Sequence, residues 1–202
     1  MRVAFTNNKG GTGKTTYAGI TAQIIAKSGV KVVAVDLDHA QMHLSVFLTD
    51  VKDCPKVPIY RHLQDFKSQE YQCIVIDTPP SMGEEALNAI KESDVVVVPI
   101  NKDKTGLLGL QEIERHIGRE KIIVVTSQWK PERIRSHAKL YEALEGFGYK
   151  DAINIPENAL IIDNRDNNLF WSYRISVTQA RPYFDLVQRI FTVAGGSKNE
   201  QE

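Results

Sequence analysis

Five runs of the chain are apolar at nearly every position: "RVAFT" (2–6), "KVVAVD" (31–36), "CIVID" (73–77), "DVVVVPI" (94–100) and "KIIVVT" (121–126). Unbroken rather than alternating hydrophobicity marks strands covered on both faces, as in parallel sheets. Between these runs the pattern changes. Residues 15–28, 84–92, 107–117 and 136–147 read as amphipathic helices. "INIP" (153–156) predicts a further short strand, and 176–193 a closing helix. Strand–helix alternation predicts right-handed crossovers, hence an α/β fold with one mainly parallel sheet flanked by helices. The stretch 49–58, "TDVKDCPKVP", reads as a surface loop, and the polar tail 195–202, "GGSKNEQE", as disordered. The expected organisation is one domain over 1–194 followed by that tail.

Composition narrows the function classes. A chain of 202 residues suits a single core. The 25 basic and 25 acidic residues cancel, so any nucleic-acid binding must come from a local patch. Cys54 and Cys73 form no C-x-x-C pair and read as reduced structural thiols, which counts against a metal or iron–sulfur role. The N-terminus lacks the long apolar core of a signal peptide, and no apolar run approaches membrane-spanning length. A cytoplasmic protein without stable membrane insertion is expected.

The chemistry concentrates in "NNKGGTGKTT" (7–16). A buried strand precedes it and a helix follows. Gly10, Gly11 and Gly13 let the backbone turn tightly, so that N–H groups around Thr12 face an anion at the helix N-terminus. Lys14 supplies charge for outer phosphates, the Thr15 hydroxyl can ligate magnesium, and Thr16 completes the loop. The standard pattern G-x-x-x-x-G-K-[ST] wants glycine at position 8, where this chain has Asn8, a residue tolerant of the left-handed conformation.

With Lys9 included, K-G-G-x-G-K-T-T resembles the deviant Walker A motif of the ParA/MinD family of ATPases. The resemblance implies ATP and Mg2+ as cofactors and an ATP-dependent homodimer. Lys9 would then be the signature lysine that reaches the partner's nucleotide, and Lys9, Lys14 and Asp38 the catalytic residues. "VVAVDLD" (32–38) carries the family's D-x-D. Residues two apart on a strand share a face, so Asp36 and Asp38 can both look at the phosphates. By resemblance Asp36 supports magnesium and Asp38 positions the attacking water. "CIVIDTPPS" (73–81) resembles the Walker B strand and switch, with Asp77 completing the magnesium set and Thr78 and the paired prolines sensing the γ-phosphate. The stretch 93–117, with Gly109 and Leu110, matches the loop and helix that join the dimer and effector surface. Ser127, Gln128 and Pro156 fall where the family clasps adenine. The resemblance spans residues 1 to about 190.

Within that family several branches compete. Neither cysteine suits an iron–sulfur carrier, and Lys9 argues against dethiobiotin-synthetase-like enzymes. Asn7 and Asn8 favour partition ATPases. "DLDHAQMHLSVFL" (36–48) lacks the partition D-x-D-P-Q and resembles the longer MinD-like segment. Tyr183, Val187 and Ile190 share a helical face and read as core-packing. Basic residues gather at Lys130, Arg133, Arg135 and Lys139. Arg165, Arg174, Arg181 and Arg189 follow where partition ATPases contact DNA. Trp129 and Trp171 read as packing residues. The expected function is a ParA-type ATPase whose ATP dimer binds DNA non-specifically. It would position plasmid, chromosome or other cargo, stimulated by a ParB-like adaptor or centromere-binding protein. The alternative is a MinD-type membrane-associated regulator of division.

Overall fold

The structure is a computed structural model that describes residues 1–49, 54–81, 83–101, 104–129, 134–156 and 176–199. The predicted strands form β1 (Arg2–Phe5), β2 (Val32–Asp36), β4 (Cys73–Asp77), β5 (Val95–Ile100), β6 (Ile122–Trp129) and β7 (Ile153–Pro156), with a two-residue edge strand β3 (Ile59–Tyr60). All pair in parallel, in the order β3-β2-β4-β1-β5-β6-β7. Among the described residues the α-helices are α1 (Lys14–Lys27), α2 (His43–Leu48), α3 (Glu84–Lys91), α4 (Lys104–Glu114), α5 (Ile134–Gly146) and α6 (Val177–Asn199).

Alternation along the buried strands builds two cores. Val3, Phe5, Ala34, Val75 and Val97 face α1, α2 and α6, packing with Tyr17, Ile20, Phe47, Leu186 and Ile190. Ala4, Val33, Val35, Ile76 and Val96 face the other way, toward Ile90, Leu110, Ile113 and Leu144. The central strands β1, β2, β4 and β5 therefore read as almost wholly apolar, because most of their residues meet one core or the other. Register brings Phe5, Asp36 and Asp77 level across β1, β2 and β4, so the loops that leave these strands emerge together.

Some boundaries differ from the sequence pattern. Helix α4 starts at Lys104 rather than 107, and α2 and β3 are too short for periodicity to reveal. Residues 50–53 lie outside the described residues, but the 49–58 loop is not simply surface. Val57 is buried and the Pro58 carbonyl accepts the Ala34 N–H at 2.9 Å. Helix α6 opens with Ser176 and Gln179 hydrogen-bonding reciprocally, the Gln179 N–H to Ser176 Oγ at 3.3 Å and the Ser176 N–H to Gln179 Oε1 at 2.9 Å. It continues through Gly195 and Gly196 to Asn199, so residues 195–199 are helical rather than disordered. Extending a helix anchored by the packed Ala194 adds one hydrogen bond per residue fixed, without a second nucleation. Cys73 is buried and free, and burial pushes its thiol up to about 12, in keeping with a structural thiol. Among the described residues no helix is long and apolar enough to cross a membrane.

Gly19 is the point of closest approach between α1 and α2. A Cβ there would come within 2.2 Å of the Phe47 ring. Gly19→Ala is therefore expected to lower Tm. The roughly 1 kcal/mol of helix propensity gained is outweighed by about 1–3 kcal/mol of overpacking. A thermal melt that rose instead would show that Phe47 relaxes freely.

Candidate functional site

The loop between β1 and α1 is held from below by Asn7. This side chain is fully buried, donates from Nδ2 to the Pro99 carbonyl at 2.7 Å and accepts the Lys9 N–H at 3.1 Å. Gly11 (φ 73°) and Gly13 (φ 98°) make the left-handed turns. Asn8 does not need the left-handed conformation expected of it. Among the described residues only Met42 combines a side chain with positive φ. Asn8 instead donates to Glu112 Oε2 at 3.1 Å, tying the loop to α4. Gly109 permits that approach: a Cβ there would lie 2.3 Å from Asn8 Oδ1 and 2.8 Å from Asn7 Oδ1. Sequence reasoning gave Asn7 no structural role and Gly109 only a surface one.

Helix α1 begins without a side-chain cap and without an acidic residue in its first turn. Its first N–H groups and the positive end of its dipole thus face the loop. Lys14 is buried beneath the loop, where its Nζ donates to the Lys9 carbonyl at 3.1 Å. Burial lowers its pKa, while Asp77 and Asp38 favour the charged form. Thr12 is buried, with its hydroxyl toward the same Lys9 carbonyl at 3.5 Å. Gly10 and Gly11 are exposed, and Thr15 and Thr16 half-buried.

The carboxylates stand beside this loop. Asp77 ends β4 fully buried, and one of its oxygens has no hydrogen-bond partner. Burial pushes its carboxyl up to about 7, with the Thr15 hydroxyl bond and Lys14 opposing and Asp36 and Asp38 adding to the rise. Asp36 accepts the N–H groups of Asp38 and Ser45 at 3.2 Å each. Burial raises its pKa as well, and those bonds oppose the rise. Asp36 thereby also satisfies the Ser45 N–H in the first turn of α2.

Asp38 corrects the strand argument. Strand β2 ends at Asp36, so Asp38 lies in the following turn, where its Oδ1 accepts the Gln41 N–H at 3.2 Å. It still stands close enough to act on Lys14 and Asp77 electrostatically. A buried carboxylate oxygen without a partner, two further carboxylates and a hydroxyl form a hard-oxygen donor set of the kind that suits magnesium. Thr15, Asp36 and Asp77 would hold the ion.

Other predicted residues are placed differently. Thr78 is buried and gives both its N–H (3.2 Å) and its hydroxyl (3.1 Å) to the Phe5 carbonyl, so it locks β4 to β1 rather than offering itself to a phosphate. Ser127 is buried, donates to the Ile100 carbonyl at 3.1 Å and hydrogen-bonds Tyr17, a packing role in place of an adenine contact. Pro156 ends β7, half-buried, beside Trp129 of β6. The side chains of Gln128 and Arg135 lie outside the described residues, as do Lys130, Arg133, Arg165, Trp171 and Arg174 entirely. Arg181 and Arg189 are exposed on α6, but each faces a carboxylate: Asp185 at 3.9 Å, and Asp151.

A glycine turn that carries a buried lysine from a central parallel strand into an uncapped helix, with acidic strand ends alongside, defines a P-loop nucleotide-binding fold. The chain belongs to the CobQ/CobB/MinD/ParA nucleotide binding domain family, whose model matches residues 3–169. Among curated relatives, the sporulation initiation inhibitor protein Soj of Bacillus subtilis (strain 168) is 28% identical over 158 residues, covering 55% of this chain and 62% of that protein. The chain thus spans somewhat under two thirds of that relative's length. Among solved structures, a Borrelia burgdorferi B31 protein assigned to plasmid partition and bound to AMPPNP is 20% identical, with a TM-score of 0.69 over 95% of this chain and 98% of that one. The septum site-determining protein MinD of Pyrococcus horikoshii OT3, complexed with Mg-ADP, is 18% identical, with a TM-score of 0.71 over 96% and 97%. Those two likenesses are likenesses of fold.

Asp77→Asn provides a test at this point. It removes an ionisable group from a buried position where one oxygen is unsatisfied. The nucleotide-free protein is expected to melt at the same or a higher temperature, while nucleotide binding loses its dependence on Mg2+. A variant whose Mg2+ dependence is unchanged would remove Asp77 from the metal set.

Proposed function

We propose that this chain is an ATPase of the ParA partition type, active as an ATP-bound dimer that positions DNA or another cargo. The observation that carries the reading is the phosphate loop itself. Lys9 precedes the glycine turn while Lys14 lies buried beneath it, beside Asp38 and Asp77. In this reading the α1 N-terminus and Lys14 hold the phosphates, and Asp38 orients the water that attacks the γ-phosphorus. Lys9 of each subunit neutralises charge on the other's nucleotide, in the manner of a cation supplied in trans. Thr15, Asp36 and Asp77 would hold magnesium, which when bound would supply positive charge for the phosphate oxygens. Pro156, at the same end of the sheet, borders the base. The relatedness to Soj supports partition as the task and a ParB-like adaptor as the stimulating partner. The Mg-ADP and AMPPNP complexes of the fold neighbours support the cofactors.

The salt dependence of DNA binding tests the partition reading. A local basic patch on the Mg-ATP form should lose affinity linearly on a log–log plot, with a slope of about −0.9 per phosphate contacted. Arg174→Glu with Arg181→Glu is expected to weaken binding equally across DNA sequences and to flatten that slope. Because Arg181 and Arg189 already face carboxylates, each is expected to contribute less than an unpaired arginine would. DNA binding that ignores salt, or none with Mg-ATP present, would favour the second reading.

That second reading is a MinD-type regulator acting at a membrane surface. Val177, Phe184 and Phe191 recur at seven-residue spacing on α6 and are 87%, 44% and 43% exposed. The segment after Asp38 also lacks the partition-type proline. Pelleting with anionic liposomes in Mg-ATP, run beside DNA gel shifts, separates the two matrices.

A further inference from the structure

His39, His62 and Glu85 are far apart in sequence but adjacent in space. His39 follows Asp38 in the turn after β2. His62 lies two residues past β3. Glu85 is the second residue of α3. His39 Nε2 is 3.3 Å from one Glu85 oxygen and His62 Nδ1 is 3.0 Å from the other. The two imidazoles lie with centroids 4.7 Å apart, and one donor atom from each of the three residues falls within 4.8 Å of the others. The side chains are 40%, 42% and 45% exposed, so a further ligand from solvent has access.

We infer that these residues form a binding site for a zinc-class divalent ion, separate from the magnesium set, with one carboxylate and two imidazoles as ligands. Metal–nitrogen and metal–oxygen bonds of about 2.0–2.2 Å in a tetrahedral arrangement place neighbouring ligand atoms roughly 3.3–3.5 Å apart. The two imidazole–carboxylate separations are close to that, each to a different Glu85 oxygen, so the carboxylate can bind through both oxygens or turn to present one to the ion. Imidazole selects zinc, cobalt, nickel or copper over magnesium and calcium, which prefer oxygen throughout. The backbone around His62 is itself braced: its N–H donates to Asp65 Oδ2 at 3.2 Å, and the Asp65 N–H returns to the His62 carbonyl at 3.2 Å.

The position gives the site a consequence. An ion there ties the turn carrying Asp38 to the first turn of α3, the helix that follows Asp77 and the Pro79–Pro80 pair in the chain. Occupancy would hold both flanks of the carboxylate set in one arrangement. Any effect on hydrolysis rests on the ATPase reading above; binding of the ion does not.

The test uses the whole chain, stripped of metal with a chelator and kept free of nucleotide, so that its outcome is independent of ATPase activity. Zn2+ titrated by calorimetry in the presence of millimolar Mg2+ should bind at one ion per chain. Co2+ should give visible absorption bands that Zn2+ abolishes. His39→Ala, His62→Ala and Glu85→Gln should each weaken Zn2+ binding at least about 10-fold, with far-UV circular dichroism unchanged. His116→Ala, which removes a histidine elsewhere, should leave it unaltered. His62→Cys, which keeps a zinc ligand, should restore most of the affinity. Zinc binding that survives His39→Ala and His62→Ala intact, or that Mg2+ displaces, or that is absent at micromolar Zn2+, would overturn the inference.

Discussion

Lys14→Ala is expected to bind ATP about 10- to 100-fold more weakly than the parent chain in calorimetry, with its melting temperature changed by only a few degrees. A hydrogen bond to a charged group contributes about 1.5–3 kcal/mol, and every 1.4 kcal/mol is tenfold in Kd. Lys14 is buried at the mouth of α1, so its charge acts where water screens it least. The fold has little need of it. Its hydrogen-bond partner is the Lys9 carbonyl, and the electrostatic cost of burying it, which alanine removes, offsets the lost attraction to Asp77 and Asp38. ATP affinity unchanged in the variant would sink the phosphate-loop assignment and, with it, the proposed function.

The second large effect belongs to Lys9. Lys9→Ala should still bind ATP as a monomer, because the atom that holds Lys14 is the backbone carbonyl of residue 9, which alanine keeps. Hydrolysis should fall, since the lost cation acts on the partner's nucleotide. Trans cations in other nucleotide hydrolases contribute on the order of 10³ to 10⁵ in rate, and a slow ATPase is expected at the lower end. Mixing distinguishes action in trans from damage in cis. Asp38→Ala should bind ATP and dimerise but remain inactive. In a heterodimer of Lys9→Ala with Asp38→Ala, one composite site keeps its own Asp38 and receives an intact Lys9. That site should recover activity although each variant alone has none. Heterodimers that form and stay inactive would show that Lys9 does not cross the interface.

What the sequence by itself determined was the layer plan and the chemistry of the loop. Strands buried on both faces must be apolar at every position, and "DVVVVPI" or "CIVID" can hardly read otherwise. Glycines needed for left-handed turns and a lysine at a helix start are local requirements, so Gly11, Gly13 and Lys14 were legible without neighbours. Short elements were not. Helix α2 spans six residues and β3 two, too few for a period to emerge.

What only the tertiary structure decided was which polar groups are already occupied and which distant ones meet. Thr78 and Ser127 sit where phosphate and adenine contacts were expected, yet their hydroxyls serve the Phe5 and Ile100 carbonyls. Spacing cannot show this, because the acceptors lie on other strands. The placing of Asp38 turned on where β2 stops, which depends on its pairing with β4 ending at Asp36 and Asp77. Asn7 reaches Pro99, Asn8 reaches Glu112, and His39 and His62 converge on Glu85 across loops that sequence order keeps apart. Hydrogen bonds and ligand sets between remote residues follow from strand order, and the order β3-β2-β4-β1-β5 is a property of the assembled sheet that no local pattern encodes.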